Sequence, residues 1–170
     1  ALIVIGAIGI AIGIAGHVTS LCGAVRHRRR RLELLHVALF VSAAFLLVAV
    51  ACALIAGIAD VRPVVRSRLV TAEVAALVGW LGVAIVGHVH KIVPFIGFTS
   101  LRERGVARGP DGGPLLFSHL FDHRVATATV ALASVGFGAI VVGVLVVAPE
   151  LVRIGGVALV VAAVATVGNL

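Results

Sequence analysis

Long apolar runs, each closed by a short polar or basic cluster, set the pattern of this chain. The first extends from about Leu2 to Val25 and stops at Arg26-His27-Arg28-Arg29-Arg30-Arg31. The second covers about Leu32 to Ala59. A basic link, Asp60-Val61-Arg62-Pro63-Val64-Val65-Arg66-Ser67-Arg68, leads to the third, about Leu69 to Val93, which Pro94 kinks or ends. Thr99 to Arg124 reads as the one long polar loop, centred on the turn Gly109-Pro110-Asp111-Gly112-Gly113-Pro114. A fourth run covers about Val125 to Ala148, Pro149-Glu150 makes a tight turn, and a fifth runs from Leu151 to about Gly168. A helix needs about 20 apolar residues to cross the hydrocarbon of a bilayer. The runs are continuous rather than alternating, which selects helices over a barrel. The expected fold is an all-α, polytopic transmembrane bundle of about five spanning helices, forming a single transmembrane domain over 1–170 with an inner loop at 99–124.

Composition changes this picture little. Hydrophobic residues make up 61% of the chain and charged residues 12%, whereas a soluble domain covers itself with about 25% charged residues. A net charge of +7 would point to nucleic acid in a soluble protein. Here arginines at helix ends follow the positive-inside rule instead, and no nucleic-acid partner is expected. With the arginine cluster inside, the inner segments hold Arg26, Arg28, Arg29, Arg30, Arg31, Lys91, Arg102, Arg104, Arg108 and Arg124. The outer segments hold Arg62, Arg66, Arg68 and Arg153, so ten against four places the N-terminus outside and the long loop inside. The expected location is the bacterial inner membrane, as a multi-pass protein. The first run is too long for a signal peptide, and its basic cluster follows rather than precedes it. With no methionine and an end inside an apolar run, the sequence reads as part of a longer polypeptide. Cys22 and Cys52 read as small hydrophobes at opposite ends of neighbouring helices, with no disulfide between them.

In the first run Gly6, Gly9, Gly13, Gly16 and Ser20 recur at three- and four-residue steps. They share one helix face, with GxxxG spacing between Gly9 and Gly13, and predict a close helix–helix interface.

The seven histidines carry the candidate chemistry. His17, His27, His36, His88, His90, His119 and His123 all fall in the inner half or inner loops. His17 in the first run, His36 in the second and His88 in the third have similar depths, so three helices could present imidazoles to one layer. Ionisable groups inside a span are costly and usually face the bundle interior or a pathway. Two imidazoles from different helices can hold a haem. The structural alternative is that each bonds a neighbouring helix or sits among headgroups. His88 and His90, two residues apart, point to opposite sides of a regular helix. Glu73, Trp80, Gly87 and Lys91 fall on one stripe, with His88 at its edge, and Lys91 can snorkel to the inner surface. Lys91 and nearby arginines suit an anionic headgroup, or a quinone pocket shared with His88. Leu115 to His123 reads as a short interfacial helix on which His119 and His123, at i and i+4, share a face suited to a metal.

The segments Gly87-His88-Val89-His90-Lys91-Ile92-Val93-Pro94-Phe95 and Pro114-Leu115-Leu116-Phe117-Ser118-His119-Leu120-Phe121-Asp122-His123-Arg124 carry a resemblance. Over about 79–126 the chain resembles bacterial membrane proteins distantly related to the large subunit of haem-copper oxidases and nitric-oxide reductases. It departs from them at His90, where an aromatic is expected, and at Gly97-Phe98, where a tryptophan is expected nearby. The resemblance implies a membrane redox protein with b-type haem, and it reaches His88, Lys91 and Pro94 without assigning their roles. It carries over no oxygen-reducing centre, because the chain has no His-His dipeptide and no tyrosine.

Two function classes follow. One is a redox subunit of a respiratory-type membrane complex, binding haem b or quinone near the inner face through His17, His36, His88 and Lys91. The other is a non-catalytic anchor or assembly subunit, also within a larger membrane complex, in which the histidines are structural. The sequence contains no complete catalytic constellation.

Overall fold

The computed structural model describes residues 2–27 and 33–170; residues 28–31 of the basic cluster lie outside them. Five α-helices follow in order: α1 (Leu2–Arg26), α2 (Leu34–Ile58), α3 (Pro63–Glu103), α4 (His123–Val146) and α5 (Pro149–Gly168). A 3₁₀ turn at Phe117–Leu120 precedes α4. Among the described residues there is no strand, only an isolated bridge between Arg108 and Pro114. The fold is all-α. Helices α2 to α5 are each long and apolar enough to cross a membrane, which makes this a multi-pass membrane protein. In α1 the apolar described stretch is Ile12–Gly23.

The chain divides into two compact units, Ala1–Glu33 and Leu34–Leu170. In the first unit, a Cβ built on Gly9, Gly13 or Gly16 meets nothing within 4 Å. Within the second unit, the glycines in close contact with a neighbouring helix lie on α3, α4 and α5.

In the second unit α2 packs on α3, α3 on α4 and α4 on α5. The buried residues are mostly alanines: Ala38, Ala43, Ala49 and Ala56 of α2, Ala72 and Ala76 of α3, and Ala126 and Ala133 of α4. Small side chains let helix backbones approach, which is where association energy comes from when lipid is as apolar as the protein. Glycines carry this furthest. A Cβ on Gly155 would sit 2.5 Å from the Gly136 carbonyl oxygen, and one on Gly136 would sit 3.0 Å from the Gly155 carbonyl oxygen. Helices α4 and α5 thus cross backbone to backbone. On α3, Gly79 and Gly82 make room for the rings of Phe45 and Phe137, which meet edge to face at 6.2 Å.

Local sequence fixes the helix ends. Pro63 opens α3 at its first position, where a missing N–H costs nothing. Asp122 caps α4 by accepting hydrogen bonds from the Arg124 and Val125 amides. Its own backbone amide donates to Asn169 Oδ1 at 2.9 Å, while Asn169 Nδ2 donates to the Asp122 carbonyl at 3.1 Å. One side chain at the end of α5 thereby clasps the start of α4. At the opposite end Val147 stands in the left-handed region (φ 60°) between α4 and α5, a conformation costly for a β-branched residue.

Helix α3 does not stop at Pro94. It continues to Glu103 over 41 residues, about 60 Å at 1.5 Å per residue and roughly twice the hydrocarbon thickness. Proline removes only the amide that would bond the His90 carbonyl, and helices in membranes tolerate this where neighbouring groups compensate. The long loop is shorter than expected for that reason. The 3₁₀ turn packs back on the far end of α3, and Phe117 meets Phe98 at 6.4 Å.

Gly155 and Gly156 are adjacent, yet a Cβ on Gly156 meets nothing within 4 Å. Gly155→Ala is expected to destabilise the fold by about 1–3 kcal/mol through overpacking, and Gly156→Ala is not. Unfolding in detergent micelles, followed by the fluorescence of the single tryptophan Trp80, makes the comparison.

Candidate functional site at the loop end of the bundle

The inward stripe of α3 is Leu69, Ala72, Ala76, Gly79, Val83, Gly87, His90 and Pro94. Steps of three and four along this series keep one face toward α2 and α4. The stripe of Glu73, Trp80, Gly87 and Lys91 expected from sequence shares only Gly87 with it; Glu73 and Trp80 are half-buried and Lys91 is exposed. His90 is consequently the enclosed histidine, 3% exposed, and His88 is half-buried on the far side.

His90 Nε2 lies 2.8 Å from Thr129 Oγ1 on α4. The Thr129 hydroxyl donates to the Ala126 carbonyl at 2.9 Å, so its oxygen is left to accept. Nε2 therefore carries the proton in the neutral ring. The other nitrogen, Nδ1, is buried with no partner. His90 joins two helices through one hydrogen bond and keeps an unused lone pair inside the bundle.

His88 has the opposite arrangement. Its Nδ1 lies 2.8 Å from the Ala84 carbonyl one turn back. A carbonyl can only accept, so Nδ1–H donates and Nε2 holds the lone pair. The same backbone or carboxylate support fixes the tautomer of histidines that bind metals through the other nitrogen.

Close approach of Gly87 to Ala38 sets the antiparallel register of α2 and α3. His36, two residues before Ala38, lies level with residues 88–90. It is half-buried and its Nδ1 has no partner. Of the four residues expected to bind a cofactor, His36 and His88 thus share a depth on neighbouring helices. Lys91 is exposed, one turn before the buried Pro94. His17 belongs to the first unit, where it is half-buried with an unpartnered Nε2. Among the described residues no group of three or more histidine, cysteine or acidic side chains is placed to hold a metal ion.

The loop histidines separate. The 3₁₀ turn ends at Leu120, Phe121 and Asp122 are extended, and His123 is the first residue of α4. The shared face expected of His119 and His123 on a continuous helix therefore does not form. His119 Nδ1 accepts a hydrogen bond from the Leu116 amide at 3.3 Å, and its Nε2 lies 3.9 Å from Asp111 Oδ2. His123 instead meets the Phe121 ring at 6.4 Å. Both cysteines are free, Cys22 exposed and Cys52 buried.

The pairing of His90 with Thr129 is not among the expectations drawn from sequence. A signal for it is present, since His90 continues the three-and-four spacing of Ala76, Gly79, Val83 and Gly87. A double-mutant cycle of His90→Ala and Thr129→Val is expected to give a coupling of about 0.6 kcal/mol and at most about 1.7, the average and maximum for hydrogen bonds between membrane helices. Unfolding free energies of the four proteins measure it.

Comparison with protein families, with characterised proteins and with solved structures finds no match to this chain.

Proposed function

We propose that this chain is a redox subunit of a respiratory-type electron-transfer complex in the bacterial inner membrane, its long loop facing the cytoplasm. In this reading His88 supplies an imidazole to a haem b at the surface of the bundle. The observation that carries it is the His88 tautomer: Nδ1–H is spent on the Ala84 carbonyl, which leaves Nε2 as a ligand of fixed orientation. The interior between α2, α3 and α4 is packed with alanine and glycine, so a porphyrin fits against the outer face of α3 rather than inside. His36, at the same depth, keeps a ring nitrogen without a protein partner and is the candidate for a second ligand. A haem bound there would supply one-electron transfer. Without haem, the same His88 Nε2 can accept a hydrogen bond from a quinol hydroxyl, with Lys91 exposed on the next turn.

A second reading, a non-catalytic anchor or assembly subunit of a larger membrane complex, is favoured by His90. That histidine is already used in holding α3 to α4.

A reduced-minus-oxidised visible spectrum of protein purified from a haem-competent host separates the two. Haem bands that vanish in His88→Ala and persist in His90→Ala are the expected result. A stably folded wild type without haem bands would remove the haem reading and leave the anchor and the quinone version. Bound quinone in a lipid extract of the purified protein tests the quinone version separately.

A further inference from the structure

The far end of α3 carries a second feature, independent of the histidines. His90 opposite Thr129 sets the antiparallel register of α3 and α4, so His123, the first residue of α4, lies level with about Ile96. Beyond that level α3 continues to Glu103, about 10 Å further at 1.5 Å per residue. A shallow groove of about 380 Å³, open along most of its surface, runs along this one face of α3 and is lined by Phe95, Phe98, Thr99, Arg102 and Glu103.

These residues form two rows at i and i+4. In one, the Arg102 guanidinium lies over the Phe98 ring, 5.7 Å from its centroid, a cation–π contact that holds the charge in place. In the other, Phe95, Thr99 and Glu103 succeed one another. The Thr99 hydroxyl donates to the Phe95 carbonyl at 2.9 Å, so its oxygen is left to accept, one turn from the Glu103 carboxylate. The groove therefore offers apolar rings at the bundle side, then a fixed cation beside two acceptors. Phe95 and Ile96, about 60% exposed, extend its apolar end toward the spanning part of the helix.

We propose that this groove binds a phospholipid with a primary ammonium headgroup, phosphatidylethanolamine. Its phosphate pairs with Arg102, and its ammonium donates to Glu103 and Thr99. Its glycerol and upper acyl chains lie along Phe95 and Phe98. Charge complementarity selects this occupant over phosphatidylglycerol, which offers only neutral hydroxyls where the ammonium pairs with the Glu103 carboxylate. It also selects it over phosphatidylcholine, whose quaternary ammonium has no N–H to donate.

Native mass spectrometry of the full chain, released from micelles doped with phosphatidylethanolamine, phosphatidylcholine or phosphatidylglycerol, tests the proposal. One phosphatidylethanolamine is expected to be retained in preference to the other two by about fivefold, the scale of one charged contact at a membrane surface. Arg102→Ala should lower retention of all three lipids by about fivefold, because each carries the phosphate. Glu103→Gln should remove the preference over phosphatidylglycerol, and Arg66→Ala, at the opposite end of α3, should change nothing. Stronger retention of phosphatidylglycerol by the wild type would overturn the proposal in favour of general attraction to basic residues. Equal losses in Arg102→Ala and Arg66→Ala would overturn it as well. All three variants alter exposed side chains, and their thermal unfolding checks that the fold is unchanged.

Discussion

Closeness of backbones is the constraint on which the second unit depends. In lipid, burying a leucine against another helix gains little over leaving it among acyl chains, so association rests on dispersion and on interhelical hydrogen bonds. Both need short distances. The chain achieves them by placing alanine and glycine where helices meet and valine, leucine and isoleucine where they face outward. The contact of Gly136 with Gly155 is the extreme case, each carbonyl oxygen lying 2.5 to 3.0 Å from where the other residue's Cβ would stand. The hydrogen bond from His90 to Thr129 requires the same proximity.

The four candidate spans α2 to α5 were legible from hydrophobicity alone, because the apolar runs are long and their interruptions charged. Their inner detail was not. Pro94 reads as a boundary in sequence, yet it interrupts a single amide and the helix runs on to Glu103. Within the second unit the glycines in close contact are spread over α3, α4 and α5, where no repeat marks them in the sequence. Spacing on one helix identifies a face but says nothing of which neighbour fills it. The loop shows the same limit: a helical reading of Leu115 to His123 ignores the Asp122 cap, which restarts the helix and turns His123 away from His119.

Among the histidines of α2 and α3, depth was readable and direction was not. His36, His88 and His90 share a level through the register of α2 and α3. Only packing decides that His90 is enclosed and His88 lies at the side of the bundle. Their tautomers then follow from their partners. A backbone carbonyl and a threonine whose proton is already committed protonate opposite nitrogens of two rings two residues apart.

The length of α3 has a mechanical consequence. From Leu69 to Pro94 the helix is clamped along its buried face by α2 and α4. Past the level of His123 it runs on for about 10 Å with no part of α4 beside it. That end is a cantilever, braced by the 3₁₀ turn rather than by a spanning helix.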